Sequence, residues 1–255
     1  MSEKVAIIGA GPGPADLLTV RAVAALRRAE VVLHDDLVST DVLELCAPLA
    51  LVVNVGKRCG KRGATQEQIN ALMIEHARRG RSVARVKSGD PAIFGRLGEE
   101  LQALREADIP FEIVPGITAV AAAAAAAEMT LTDRRSASTL VMLPGHSAGK
   151  DEPQPSALDV ERTTYVIYMP GPDYSRTARD LLKQGIDAAT PCAVVSNACR
   201  PNQQVRFLPL GDLGSARSIV APAVLIVGQV AARESFSESP FVAETLGREE
   251  LCAIG

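Results

Sequence analysis

The sequence predicts an α/β protein of two domains, with a mostly parallel sheet in the first and a smaller, mixed sheet in the second. Three observations support this prediction. Apolar runs alternate with helical patterns in the first half, and the pattern changes after Leu131. The chain has 255 residues, of which 47% are hydrophobic and 22% charged, which is enough for a sizeable core. We place the boundary between residues 1–134 and 135–255.

The first domain is predicted from strands that alternate with helices. The strand segments are KVAIIGA, EVVLHD, LALVVNVG, SVARVKSGD and FEIVPG. Between them lie helical patterns such as TQEQINALMIEHARRG, with Thr65 as N-cap and Gly80 as the C-terminal stop. Strands separated in this way form a mostly parallel sheet with helices on both faces. The alanine-rich segment TAVAAAAAAAEM is predicted to be a tightly packed structural helix.

The second domain is predicted from five further extended segments and one clear helix. The strand segments are ASTLVMLPGH, TTYVIYMPG, TPCAVVSNA, QVRFLPLGDL and PAVLIVGQV. The helix is SRTARDLLKQG, between the second and third of these. A polar, proline-bearing loop, SAGKDEPQPSALD, follows the first strand segment, and we expect the tail after residue 238 to be peripheral.

Composition argues against several classes of protein. There is no uncharged run of 18 apolar residues and no long apolar leader, so we expect neither a membrane span nor a signal peptide. Five scattered cysteines without a CxxC pair indicate reduced thiols in the cytoplasm, and three distant histidines predict no metal site. A net charge of −3 and a pI near 5.7 argue against nucleic-acid binding.

Basic residues nevertheless cluster locally. The clusters are GKRCGKR at 56–62, RVK at 85–87 and RR at 134–135. Each is either a solvated face or a site for an anionic small molecule. The sequence leaves both interpretations open.

The glycine-rich turn in VAIIGAGPGPADLLTV raises the question of a dinucleotide site. Gly9 and Gly11 match the first two glycines of G-x-G-x-x-G, and Asp35 or Asp36 would end the second strand. Pro14 stands where the third glycine belongs, and Pro12 removes a backbone N–H from the turn. A phosphate cradle needs those N–H groups, so a nicotinamide oxidoreductase is disfavoured, although the turn alone does not decide.

Five segments in order carry a family resemblance: GAGPGPADLLT, VGKRCG, QEQIN, SGDPAIFGRLGEE and PFEIVPGITA. The chain resembles the tetrapyrrole C-methyltransferases that use S-adenosylmethionine, over about residues 5 to 230, and most closely the members that act on uroporphyrinogen III. The resemblance implies a tetrapyrrole methylase fold with the cofactor in the cleft between two domains. It also implies a cytoplasmic homodimer that methylates two pyrrole carbons to give precorrin-2, on the route to sirohaem and cobalamin.

The resemblance also implies the site residues. The positions that match its cofactor contacts are Pro12, Ser88, Gly89, Asp90, Ile93, Thr118, Ala119, Met169 and Ala198. Asp35 matches a proton acceptor and Lys57 a proton donor. A base is chemically sensible, because alkylating a pyrrole carbon leaves a cation that must lose a proton. Lys57 and Arg58 could equally anchor substrate carboxylates, and Arg96, Arg134 and Arg135 are further candidates for such contacts.

Some positions depart from the family pattern. Ser88 replaces a usual glycine, and LTDRRSAS at 131–138 replaces a run that normally reads Leu-Thr-His-Arg-Asp-Tyr-Ala. We expect the altered run near the substrate mouth. A methyltransferase acting on a later corrinoid precursor, and a catalytically degenerate paralogue that only binds the cofactor, therefore stay open as alternatives. Members that act on ribosomal RNA or protein side chains fit VGKRCG and SGDPAIFGR less well.

Overall fold

Two five-stranded sheets form the framework of the part of the chain that the structure describes. The structure is a computed structural model that describes residues 4–56, 63–145, 160–171, 173–216 and 220–233. The described strands of the first sheet are β1 (Val5–Gly9), β2 (Val31–His34), β3 (Leu51–Asn54), β4 (Val83–Lys87) and β5 (Phe111–Val114). Their order is β3-β2-β4-β1-β5, and every pairing is parallel. The predicted parallel sheet is confirmed.

Helices cover both faces of this sheet. They are α1 (Val20–Arg28), α2 (Thr40–Leu43), α3 (Gln66–Arg78) and α4 (Leu97–Glu106). Along β1, Ala6 and Ile8 pack into a cluster with α1, whereas Val5 and Ile7 pack into another with α3 and α4. This alternation is expected for a strand buried on two sides. Among the described residues, no helix is long and apolar enough to cross a bilayer.

The ends of α3 follow its sequence signals. The Thr65 side chain accepts a hydrogen bond from the Gln68 N–H, and Gln68 Oε1 accepts one from the Thr65 N–H, at 3.2 and 2.8 Å. This reciprocal pair is a capping box. Gly80 has φ +74°, which glycine adopts without strain just past a helix end. Both predicted ends are confirmed. In contrast, α2 ends at Leu43, after which the Leu45 and Cys46 N–H groups donate to the Val42 and Leu43 oxygens in tighter turns.

The second sheet is mixed, as predicted, but it is not the smaller of the two, since each has five described strands. Its described strands are β6 (Thr139–Pro144), β7 (Thr163–Tyr168), β8 (Pro191–Ser196), β9 (Gln204–Pro209) and β10 (Ala223–Val227), in the order β6-β7-β10-β8-β9. The β6–β7 pairing is parallel and the other three are antiparallel. Helices α6 (Ser175–Lys183) and α7 (Leu210–Leu213) accompany this sheet.

Helix α5 (Ala119–Ala126) links the two halves of the chain. It precedes residue 134 in sequence, yet Val120 and Ala123 pack against Val166 and Ile226 of the second sheet. Ala123 is fully buried, as expected for a tightly packed alanine-rich helix. The domain boundary at residue 134 stays a prediction, and α5 is the element that crosses from one sheet to the other.

Candidate active site

A cavity of about 530 Å³ lies between the carboxyl ends of the first sheet and one face of the second. Its lining comes from the turns that follow β1, β2 and β4 and from the residues that follow β7 and β8. Ligands of open parallel sheets bind outside the carboxyl ends of the strands. The volume is in the usual range for small-molecule sites.

The cavity gathers nearly all of the site residues predicted from the sequence. Those in its lining are Pro12, Asp35, Ser88, Gly89, Asp90, Ile93, Thr118, Ala119, Met169 and Ala198. Lys57 and Arg58 lie outside the described residues. The individual roles assigned to these residues stay predictions, but their meeting around one space is a property of the fold.

Backbone packs directly on backbone at the base of the cavity. A Cβ atom on Gly9 would lie 2.6 Å from the Gly116 nitrogen and 2.7 Å from the Gly89 oxygen, which is closer than side chains approach. Gly89 has φ +67°, a left-handed conformation that favours glycine. Glycine is therefore required where the turns after β1, β4 and β5 touch.

The glycine-rich turn does not present its N–H groups as a phosphate cradle. The Gly11 N–H donates to the Gly89 oxygen at 3.1 Å, and the Gly89 N–H donates to the Gly11 oxygen at 2.7 Å. The Ala10 N–H donates to the Lys87 oxygen, and Pro12 has no N–H to offer. These groups are used within the protein, which disfavours a pyrophosphate ligand at this turn.

Asp90 joins two of the turns at the cavity. Its Oδ1 accepts a hydrogen bond from the Ala92 N–H at 2.8 Å, and its Oδ2 accepts one from the Gly116 N–H at 3.0 Å. An ionised carboxylate has about four acceptor sites, so these two bonds leave room for a ligand donor. Asp90 thus shapes the loop and remains available to the cavity.

Four charged side chains form a balanced network at the wall of the cavity, which we call the buried charge network: Asp35, Arg85, Lys87 and Glu100. Arg85 Nη2 lies 2.5 Å from Asp35 Oδ1, and Arg85 Nε lies 2.9 Å from Glu100 Oε1. Lys87 Nζ lies 3.0 Å from each Glu100 oxygen. The solvated-face interpretation of RVK is therefore wrong, since Arg85 and Lys87 are only 2% and 3% exposed.

The network perturbs Lys87. Burial lowers the pKa of the Lys87 ammonium, and the positive charge of Arg85 lowers it further. Glu100 opposes both effects by favouring the charged lysine. Gln66 Nε2 donates a hydrogen bond to Glu100 Oε1 at 3.3 Å, so side chains from both α3 and β4 hold the carboxylate.

The second sheet supplies the opposite wall of the cavity. Met169 follows β7 with φ +51° and is 52% exposed, so it is not a core methionine. Tyr168 Oη lies 2.6 Å from Thr118 Oγ1, so the Thr118 hydroxyl bonds across to β7 and does not cap α5. Burial raises the pKa of the Tyr168 hydroxyl.

Comparison with known proteins decides the family. The family model for Tetrapyrrole (Corrin/Porphyrin) Methylases matches residues 4–214. The chain belongs to this family. It is 43% identical over 237 residues to a siroheme synthase of Zymomonas mobilis, covering 91% of this chain and 50% of that protein. The chain therefore spans about half the length of the curated relatives it matches.

Solved tetrapyrrole methylases share the fold. A uroporphyrin-III C-methyltransferase of Thermus thermophilus, complexed with S-adenosylhomocysteine, is 35% identical with a TM-score of 0.75, covering 89% of this chain and 98% of that one. A cobalt precorrin-4 methyltransferase is 30% identical with a TM-score of 0.77, covering 90% and 96%. The predicted resemblance and fold class are confirmed.

The altered segment at 131–138 does not line the cavity of this tetrapyrrole methylase. Asp133 instead pairs with Arg135, whose Nη2 lies 2.8 Å from Asp133 Oδ2, and the segment closes on itself through a bridge from Asp133 to Ala137. Hydrogen bonds from Arg135 hold the pKa of the Asp133 carboxyl well below its usual range. The expected position at the substrate mouth is not supported by the cavity lining.

Sequence reasoning missed several residues of this methylase's cavity. Glu100 and Arg200 belong to none of the predicted roles, yet Glu100 anchors the buried charge network and Arg200 lines the cavity. One signal was present for the network: two cations stand two residues apart in an otherwise apolar strand, on the same face of a sheet covered on both sides. Such cations need a buried carboxylate partner.

Proposed function

We propose that this tetrapyrrole methylase transfers methyl groups from S-adenosylmethionine to two pyrrole carbons of uroporphyrinogen III, giving precorrin-2 for sirohaem or cobalamin synthesis. The observation that carries the proposal is the single cavity lined by the predicted cofactor residues together with Asp35. The similarity to a siroheme synthase and to a uroporphyrin-III C-methyltransferase supports this choice of substrate.

The cavity suits such a cofactor better than a dinucleotide. When bound, S-adenosylmethionine supplies a methyl group whose carbon–sulfur bond breaks as the substrate carbon bonds to it. Gly89, Ala119 and Ala198 leave space along the walls, and Asp90 places a carboxylate beside the backbone of Gly116. In the turn after β1, the Ala10 and Gly11 N–H groups are already paired within the protein. We propose that these residues, with Pro12 and Met169, hold the cofactor in one orientation, because alignment for in-line attack is the main demand of this reaction.

Asp35 is the proposed base. Its side chain is 30% exposed at the cavity and is oriented by the bond from Arg85. The ring cation formed by methylation must release a proton, and a carboxylate fixed at the cavity accepts it. Lys57 retains two proposed roles, proton donor or carboxylate anchor. We also propose that the chain works as a cytoplasmic homodimer.

The decisive experiment incubates the purified chain with uroporphyrinogen III and S-adenosylmethionine that carries a deuterated methyl group. Mass spectrometry of the product is expected to show two labelled methyl groups. Methylation of a precorrin but not of uroporphyrinogen III would favour the activity named for the cobalt precorrin-4 relative. Binding of S-adenosylhomocysteine without turnover on any tetrapyrrole would support the degenerate paralogue.

A further inference from the structure

Arg200 reaches from the second sheet to the first across the cavity. Its Nε donates a hydrogen bond to the Pro12 oxygen at 3.0 Å, and its Nη2 donates one to the Leu37 oxygen at 2.9 Å. Pro12 lies in the turn after β1 and Leu37 in the turn after β2, and both line the cavity. One guanidinium therefore ties together two turns and the opposite sheet.

The backbone around Arg200 is held by hydrogen bonds within the turn. The Arg200 N–H donates to the Asn197 oxygen, and the Gln203 N–H donates to the Arg200 oxygen, both at 2.9 Å. Gln203 Oε1 accepts a further bond from the Cys199 N–H at 2.7 Å. The turn after β8 is thus closed by its own hydrogen bonds, which fix the backbone from which the arginine side chain extends.

The first sheet provides a matching recess. Gly13 has φ +150°, and a Cβ atom there would collide with Arg200 Nε. The guanidinium occupies the space that a side chain at residue 13 would need. Ser39 Oγ donates to the Gly13 oxygen at 2.5 Å, so the turn is held from β2's side as well.

We propose that Arg200 is a positioning residue that fastens the turns carrying Pro12 and Asp35 to the second sheet. It acts through those turns and thereby fixes the cofactor loop relative to the base. Arginine suits this task because its planar fork serves two carbonyl groups at fixed angles, which the single ammonium of lysine does not. The choice of ligand for the binding test rests on the proposed function, whereas the contacts of Arg200 with the two turns do not depend on it.

The first test is amide hydrogen exchange on the full chain without ligand, for Arg200→Ala and for the control Arg176→Ala. Arg176 is an exposed arginine on α6 outside the cavity lining. Peptides covering 9–18 and 35–43 are expected to exchange about tenfold faster in Arg200→Ala and at the wild-type rate in the control. Unchanged exchange in both peptides of Arg200→Ala would overturn the proposal, whatever the ligand is.

The second test measures S-adenosylhomocysteine affinity by calorimetry, then kcat and KM with uroporphyrinogen III. Arg200→Ala is expected to lose about tenfold in affinity and to lower kcat, whereas Arg176→Ala stays within about twofold of wild type. Wild-type affinity and kcat in Arg200→Ala would overturn the positioning role. If the wild-type chain fails to bind the probe, the proposed function fails and the exchange measurement still decides the role of Arg200.

Two further variants guard against misfolding and generic damage. Arg200→Lys keeps the charge without the paired N–H groups and is expected to fall between wild type and Arg200→Ala. If Arg200→Ala does not fold, a lysine variant with wild-type exchange and affinity overturns the proposal.

Gly13→Ala is expected to cost less affinity in the Arg200→Ala background than in wild type, because the collision with the arginine side chain is removed. Strictly additive losses of affinity would contradict the fit between the two residues.

Discussion

Arg85 Nε lies 2.9 Å from Glu100 Oε1, and the two side chains are 2% and 0% exposed. The pair connects the central strand of the parallel sheet to α4 at the wall of the cavity. Because Arg85 also bonds to Asp35, the proposed base is oriented by a group that is itself locked in the core. Core stability and the placement of the site therefore depend on the same charges.

Glu100→Gln is expected to lower the free energy of unfolding by about 3 to 5 kcal/mol, because it leaves two buried cations with too little compensating charge. Urea denaturation measures the effect. The matched control is Glu99→Gln at the neighbouring residue. The Glu99 carboxylate forms an exposed ion pair with Arg96, so its loss is expected to cost less than about 1 kcal/mol. Equal losses of unfolding free energy in the two variants would show that the buried charge network stabilises the fold no more than an exposed ion pair does.

The pKa of Lys87 predicts a pH effect on stability. Burial lowers this pKa in the folded protein, so between that value and the ordinary lysine pKa of about 10.4 the unfolded chain binds more protons. Stability must therefore rise with pH in that window, since the cost of burying a charged lysine disappears. From about pH 8 to about pH 10, the wild type is expected to gain stability relative to Lys87→Met.

Denaturation curves at both pH values test this, with Lys183→Met as a control at an exposed lysine of α6. A constant difference between wild type and Lys87→Met across the window would contradict the prediction.

Asp90→Ala is expected to weaken S-adenosylhomocysteine binding by about 1 to 3 kcal/mol. The variant loses an acceptor at the cavity and also frees the Ala92 and Gly116 N–H groups that shape the loop. Calorimetry gives the affinity, and thermal unfolding shows whether the variant is folded. Asp90→Asn, which keeps one carbonyl acceptor, is expected to lose less. Unchanged affinity in a folded Asp90→Ala protein would remove Asp90 from the site.

Asp35→Asn is expected to reduce kcat by about a hundredfold or more, the usual contribution of a positioned base, with cofactor affinity changed by less than about 0.5 kcal/mol. The amide keeps an acceptor for Arg85, so the loss reports on proton transfer. Asp36→Asn is the control, since Asp36 is the next residue and also lines the cavity. If Asp36→Asn is the slower variant, the base has been assigned to the wrong aspartate.

The sequence predicted the fold, and it identified residues that meet at the cavity, because those features are local or carried by short motifs. The alternation of strands and helices, the capping box at Thr65 and the stop at Gly80 each depend on neighbouring residues. Gly89 and Asp90 were found through a contiguous motif. These signals do not depend on how distant elements are arranged.

The contacts that were missed are long-range. Arg85 and Glu100 meet only because α4 presents one particular side to β4, and the bond from Arg200 to Pro12 joins residues 188 positions apart. Hydrophobic periodicity identifies which side of a helix is buried but not which polar group it brings to a given strand. Residues 131–138 are also outside the cavity lining, and their expected position at the substrate mouth stays a prediction.

The spacing of Arg85 and Lys87 also determines how β4 can align with its neighbours. Val83 pairs with Val5 on one side and with Val31 on the other. Ala84 and Val86 face the opposite, apolar cluster that includes α1. Sliding β4 by one residue would turn both cations into that apolar cluster, because a one-residue shift moves every side chain to the opposite face. Glu100 would then face valine instead of its cationic partners. The buried charges thus disfavour a one-residue slip of β4 in an otherwise repetitive valine-rich sheet.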